Sequence, residues 1–255
     1  PAYLKEGVYK VSKLKENAAS SSMNQIKKST NIVFNIIFLV LGLMCIFPLL
    51  FVFSISITSE AALQAGTYQI IPDEISNAAY MFLWNERGTI IRAFGMSVLV
   101  TVLGTFISIC LNTSMGYVAS RRSFKLHQLY TWIIFIPMVF NGGMLASYIV
   151  VNNILNLRNT IWALIFPLAC SSFSVIICRT FFRATVPDAL IEAAKIDGAG
   201  QFRIWSQIVL PISKPVMATI GMFAAFGYWN DWFQASLYIQ DRNLQTLQSL
   251  LNNIQ

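Results

Sequence analysis

The amino-acid sequence predicts an all-α, polytopic membrane helix bundle, and three observations carry that prediction. Charged residues make up 11% of the 255 positions while hydrophobic residues reach 56%, against roughly 25% charge in an average soluble chain. With a mean hydropathy of +0.60, there is too little charge to coat a water-facing surface, and disordered chains are poorer in apolar and aromatic residues. Five long segments contain no charged residue at all, and about 20 apolar residues suffice to cross the hydrocarbon core. The basic residues, finally, are not spread evenly between the segments that join these runs.

The uncharged runs, in chain order, are 31–57, 93–120, 129–156, 160–178 and 215–228, the last reaching Trp232 if it starts as early as Ile212. Each is expected to be a helix, because an isolated apolar segment satisfies its backbone inside a bilayer only that way. The two-residue alternation of a membrane β-barrel is absent. Pro48, Pro137, Pro167 and Pro215 lie in or at the ends of these runs, a placement that membrane helices tolerate. Residues 1–30 form a polar tail, in which 8–15 suits either a short basic amphipathic helix on the membrane surface or a solvated strand of chain. Pro1 is not expected to be a native start, and Met23 offers an alternative initiator.

Orientation follows from the cations. With the N-terminus inside, the inner segments receive fourteen of the 18 Lys and Arg and five acidic residues, a net of +9. Arg87, Arg92, Arg158 and Arg242 stay outside with six acidic residues, a net of −2. This is the positive-inside pattern. The formal net charge of +7 is thereby a topology signal, and a nucleic-acid partner, which needs a continuous basic patch, is not expected.

One inner loop is too patterned for a plain connector. Thr185, Pro187 and Asp188 suit a helix start, as hydroxyl cap, first-turn proline and carboxylate at the positive dipole end. Leu190, Ile191, Ala193, Ala194 and Ile196 follow, with Gly198 and Gly200 as the stop. A second short helix over 201–207 carries Phe202, Ile204 and Trp205, and Leu210-Pro211 is expected to end it. Two short helices joined at glycine make a knob at the membrane face. Its apolar residues either meet a partner or fold back onto the bundle.

The same residues carry a resemblance. Glu192-Ala193-Ala194, Gly198 and Ile208-Val209-Leu210-Pro211 read EAA, three residues, G, nine residues, I-x-L-P. This resembles the signature loop of membrane subunits of binding-protein-dependent ABC importers. The filled form EAAKIDGAG is similar to the carbohydrate-uptake branch, especially the maltose-type second permease and its oligosaccharide relatives. Phe140-Asn141-Gly142-Gly143-Met144, Ala163-Leu164-Ile165-Phe166-Pro167 and Tyr228-Trp229-Asn230-Asp231-Trp232 resemble that branch too, so the likeness covers residues 31–255.

The resemblance implies a type I importer permease in the bacterial plasma membrane, its N-terminus cytoplasmic. It implies a second homologous permease subunit, two cytoplasmic ATPase subunits that bind ATP and Mg, and an extracytoplasmic solute-binding protein. The loop 183–211 becomes the element that couples to the ATPase. Ala193 and Ala194 permit close approach, Glu192 offers a carboxylate, and Asp197, Gly198 and Ala199 form the turn before Leu210 and Pro211 close the motif. The outer segment 58–92, with Tyr80 and Trp84, is either the contact for the binding protein or an ordered loop. Six membrane helices are implied and five runs are present, so the chain is expected to be about one helix short.

Absences narrow the function. No G-x-x-x-x-G-K-[ST] occurs, and Gly198-Ala199-Gly200 does not extend into a dinucleotide fingerprint, so no cofactor is expected in this chain. His127 is the only histidine; a metal site or His catalysis is not expected, and a solvated or headgroup-facing side chain is. Cys45, Cys110, Cys170 and Cys178 are expected to be buried, inert thiols. No run carries an ionisable residue in its middle, which weighs against a stand-alone ion-coupled sugar carrier, the rival reading. A membrane enzyme has still less support. The substrate path is less legible. Tyr228, Trp229, Asn230, Asp231 and Trp232 suit sugar rings but also an interfacial aromatic belt, and Asn141 with Gly142-Gly143 interrupts the run 129–156 at about mid-depth, a break that suits either a cavity lining or close helix packing.

Overall fold

The computed structural model describes residues 27–64, 71–72, 74–121 and 123–254, so the reading of 1–26 lies outside the described residues. The described chain is helical and divides into two units, residues 1–85 and 86–255.

In the first unit, α1 (Lys28–Ser56) is a continuous helix through Pro48. At 29 residues it is about 43 Å long, enough to cross a bilayer. Its side chains are exposed almost throughout. The described residues of the segment after it are tied together. Thr58 and Ile75 form an antiparallel bridge, with Ser59 N donating to Glu74 O (3.1 Å) and Ser76 N to Ile57 O (2.8 Å). Helices α2 (Glu60–Gln64) and α3 (Ala78–Asn85) flank the bridge, and the Tyr80 and Ser56 hydroxyls lie 2.9 Å apart.

The second unit is built on α4 (Arg87–Ser120), 34 residues long. It absorbs Arg87 and Arg92, so the outer segment expected to run to residue 92 ends earlier. Its buried stripe, with Ala93, Ser97, Gly104, Ser108, Asn112 and Gly116, is made largely of small residues. Small residues let helix backbones approach closely where lipid offers no hydrophobic drive between helices. A Cβ at Gly104 would lie 2.5 Å from the Tyr228 ring, and one at Gly116 2.5 Å from Cys178 Cβ.

Two of the runs are broken, the first at the Asn141-Gly142-Gly143 interruption that its sequence marks and the second, expected as a single helix, without such a mark. The run 129–156 forms α5 (His127–Val139) and α6 (Gly143–Ile154), bent by 120°. Asn141 Oδ1 accepts from Gly143 N at 2.9 Å, and Gly143 adopts φ +81°, a conformation glycine reaches without steric cost. The run 160–178 forms α7 (Ile161–Ala169) and α8 (Ser172–Thr185), bent by 48° and running past the expected end. Asn112 of α4 holds this bend from both sides. Its Nδ2 donates to Ala169 O (3.0 Å) and its Oδ1 accepts from Ser171 N (3.0 Å), satisfying backbone groups freed where the helix breaks.

The knob helices α9 (Asp188–Ile196) and α10 (Gln201–Ile212) follow, then α11 (Lys214–Asn230), which crosses α10 at 86°. Beyond it lie α12 (Phe233–Tyr238), a 3₁₀ turn (Arg242–Leu244) and α13 (Leu247–Ile254). Leu247 N donates to Ser97 Oγ (2.8 Å) and Arg92 Nη1 to Asn243 Oδ1 (2.6 Å), which fastens this end to α4. Cys178 is buried, but Cys45 and Cys170 are exposed on the chain; Cys170 sits in the α7–α8 break rather than inside a helix, which corrects the buried reading.

Candidate functional site

The knob is assembled from local backbone rules and then locked to the bundle. Pro187 precedes α9 with φ −62° and ψ 143°, the extended geometry that proline favours before a helix. Thr185 does not cap α9; it is the last residue of α8, because α8 runs further than its uncharged stretch. Asp188 opens the first turn and accepts from Arg121 Nη1 at 2.9 Å. Arg121 is itself buried, donates from Nε to Ser120 Oγ (2.8 Å) and from Nη2 to Phe182 O (3.3 Å), and lies over the Tyr117 ring. One guanidinium therefore joins the ends of α4 and α8 to the start of α9.

Ile191 and Ala194 point into a core with Phe182, Val186, Ile204 and Val209. The chain then reverses at Gly198, whose φ of +79° lies in the left-handed region. Gly198 N donates to Lys195 O (3.0 Å) and Ala199 N to Ala194 O (2.9 Å), closing the helix end. A Cβ at Gly198 would meet nothing within 4 Å. Gly200, at φ −71°, instead caps α10 in ordinary geometry. The Tyr117 hydroxyl donates to Gln201 Oε1 (3.1 Å), a second strut to α4.

Leu210-Pro211 does not end α10. The helix passes through a π turn (Trp205–Val209) and continues over Leu210–Ile212. The widened turn accommodates a proline that lacks an N–H and would crowd the carbonyl four residues back.

The knob thus presents Glu192, Ala193, Asp197 and Gly198 outward, with Pro211 exposed, Ala199 and Leu210 half-buried and Ala194 turned inward. Two apolar side chains stand beside them: Ile196 is 87% exposed and Phe202 76%. Both belong to the apolar residues for which the sequence left open a partner or the bundle, and neither folds back onto the bundle. The struts Arg121 and Gln201 were not singled out in the sequence, because their contacts are long-range. A recess of about 820 Å³ opens beside the knob between Tyr117, Arg121, Lys195, Phe202 and Trp205.

The aromatic group at the end of α11 is divided by packing. Tyr228 is buried, and its hydroxyl donates to Ile165 O (2.8 Å). Trp229 is half-buried, edge-on to Phe94 with centroids 5.8 Å apart. Asn230 is exposed and donates to Phe226 O (2.9 Å). Asp231, just past the helix, accepts from Gln234 N (3.3 Å); burial raises its carboxyl above the usual carboxylate range, opposed by backbone donors from Gln234 and Phe233. Trp232 is 46% exposed. Asn141 is exposed at the α5–α6 elbow. A smaller cavity of about 240 Å³, with Ser108, Ser171, Ser174, Phe173 and Phe223 in its wall, lies where α8 faces α11.

His127 begins α5 and is half-buried; Arg183 Nη2 lies 2.9 Å from its Nε2, so it is packed rather than solvated. Among the described residues no group of three His, Cys, Asp or Glu side chains converges on a metal-sized space.

Residues 112–255 match the family described as binding-protein-dependent transport system inner membrane component. Protein LplC of Bacillus subtilis is 38% identical over 223 residues, 87% of this chain and 75% of that protein. The polygalacturonan/rhamnogalacturonan transport system permease protein YtcP of the same organism is 36% identical over 216 residues, 85% of this chain and 74% of that one. Among solved structures, a bacterial ABC transporter involved in import of the acidic polysaccharide alginate aligns with a TM-score of 0.77 at 25% identity, covering 90% of this chain and 82% of that one. The chain therefore belongs to the binding-protein-dependent transport system inner membrane components, and is the multi-pass, non-catalytic permease component of an ABC importer.

Proposed function

We propose that this permease imports an oligosaccharide, pairs with a second homologous permease to enclose the path, and couples to the ATPase through the α9–α10 knob. The N-terminus and the knob then face the cytoplasm, where the cations concentrate, and the segment 58–85 and the end of α11 face the binding protein. The sugar assignment is supported by relatives named for polygalacturonan and for melibiose, raffinose and stachyose, and by the alginate importer.

The observation that carries the coupling reading is the contrast within the knob. Its inner face is locked to α4 by Arg121–Asp188 and Tyr117–Gln201, while its outer face leaves Ile196 and Phe202 uncovered beside Glu192 and the Gly198 turn. An apolar tip on a rigid mount suits insertion into a cleft of a moving subunit. ATP-driven closure of two ATPase subunits, which hold the ATP and Mg, moves the mount as a body and rocks α4, α8 and α11 between inward- and outward-open states. Trp229, Asn230, Asp231, Trp232 and Asn141 are the side chains of this chain proposed to meet the sugar; Tyr228 supports them from the core.

The test is co-purification with ATPase and binding protein, then uptake into vesicles with ATP inside. Uptake that needs internal ATP is expected. In a Gly198→Trp complex, assembly is retained while uptake and binding-protein-stimulated hydrolysis fall. Transport by the lone chain under an ion gradient would overturn the reading, as would full uptake in Gly198→Trp.

A further inference from the structure

At the same end of the second unit as the knob, a second recess of about 700 Å³ lies between the start of α5 and the end of α8. Its polar wall is cationic: Lys125, Arg179 and Arg183, with His127. No acidic side chain lines it among the described residues. Arg179 and Arg183 stand one helical turn apart on α8, on one face. Arg183 is positioned by His127 Nε2 (2.9 Å) and by Ser120 O, to which its Nε donates at 3.4 Å. The Arg179 Nε is buried and meets no hydrogen-bond acceptor among the described residues. Asp188, which follows α8, is already paired with Arg121.

Converging cations of this kind repel unless an anion sits among them, and guanidinium groups match the oxygens of a phosphate in a fixed fork. The recess also has an apolar exit. Leu126 and Leu129 are 58% and 56% exposed at its rim, and Trp132 and Ile133 continue along α5 at 60% and 56%. A ligand that satisfies both parts carries a phosphate at one end and hydrocarbon at the other.

We infer that this recess binds the headgroup of an anionic phospholipid of the cytoplasmic leaflet, with its acyl chain along the exposed face of α5. Basic pockets between helices on the cytoplasmic side are the setting in which such headgroups are held. The inference rests on the orientation proposed above.

The test uses the purified complex of permeases and ATPase, exchanged into detergent with phosphatidylglycerol or phosphatidylcholine, and counts retained lipid by native mass spectrometry. The wild-type complex is expected to retain phosphatidylglycerol over phosphatidylcholine. In Arg179→Gln/Arg183→Gln that retention falls by roughly fivefold per cation removed, and Arg179→Lys/Arg183→Lys, which keeps the charge without the fork, recovers part of it, which separates lost charge from lost fold. Equal phosphatidylglycerol retention in wild type and the Gln variant overturns the inference. So does complete displacement by millimolar inorganic phosphate, which indicates a free-anion site. So does loss of ATPase from the Gln variant with lipid unchanged, which indicates an acidic protein surface in the recess. ATP-dependent sugar uptake, assayed in the same preparation, reports on the proposed function separately.

Discussion

The knob and the aromatic group at the end of α11 look alike in sequence, each a short cluster of apolar and polar residues beside an uncharged run, yet they fold by opposite rules. In the knob, Pro187, Gly198 and the helical period decide the backbone locally, and the residues left over, Ile196 and Phe202, point away from the chain. At the end of α11 the long-range packing decides. Gly104 opens a slot on α4 into which the Tyr228 ring fits, and the Ile165 carbonyl takes its hydroxyl. One region leaves its apolar tip uncovered, where we propose that another molecule meets it; the other is split between core and surface, one residue at a time. Exposed apolar residues on a rigid mount mark an interface better than aromatic content does.

The largest expected effect is at the knob tip. Ile196→Asp/Phe202→Asp places two charges where an apolar contact is proposed, removing interaction on the scale of an interface hot spot, about 2 kcal/mol or more. Uptake should fall by roughly thirtyfold or more with little change in the melting temperature of the permease pair. Next comes Asn112→Leu. It strips partners from Ala169 O and Ser171 N, at roughly 1–3 kcal/mol for each buried group left unpaired. Thermal unfolding of the complex should show this destabilisation, and uptake should fall only in proportion to the folded transporter lost, less than at the knob tip.

Smaller effects sharpen the split in the aromatic group. Tyr228→Phe loses one buried hydrogen bond and should cost about 1 kcal/mol of stability while leaving the apparent KM for sugar unchanged. Trp232→Ala should do the reverse, altering KM without shifting the melting temperature. A Tyr228→Phe variant with altered KM and unaltered stability would place that hydroxyl in the path instead. The smallest effect is Asp188→Asn. Its carboxylate side chain is 76% exposed, so the pair with Arg121 contributes no more than about 1 kcal/mol, seen as a slight loss of stability that grows at low salt.

The positions of the five apolar runs were legible because hydrocarbon forbids charge over a fixed length. The Gly198 turn was legible because few other residues enter that conformation. Of the two helix breaks, the first, at residues 140–142, was marked by Asn141-Gly142-Gly143, while the second, at 170–171, had no such mark. The second depends on Asn112, 57 residues before Ala169, and no local pattern announces that contact. The persistence of α10 through Pro211 was missed because proline normally stops a helix, and only the π turn before it removes the conflict. Ala194 illustrates the same limit: it belongs to the sequence motif, but the register of α9 turns it toward Ile204 and Val209 rather than outward.

The most direct test of the coupling claim is retention of the ATPase by the purified permease pair, comparing wild type with Ile196→Asp/Phe202→Asp in the absence of nucleotide. The knob reading predicts that the variant pair remains folded and paired while the ATPase is lost from it. An ATPase that stays bound at wild-type stoichiometry, with ATP-driven uptake intact, would contradict it.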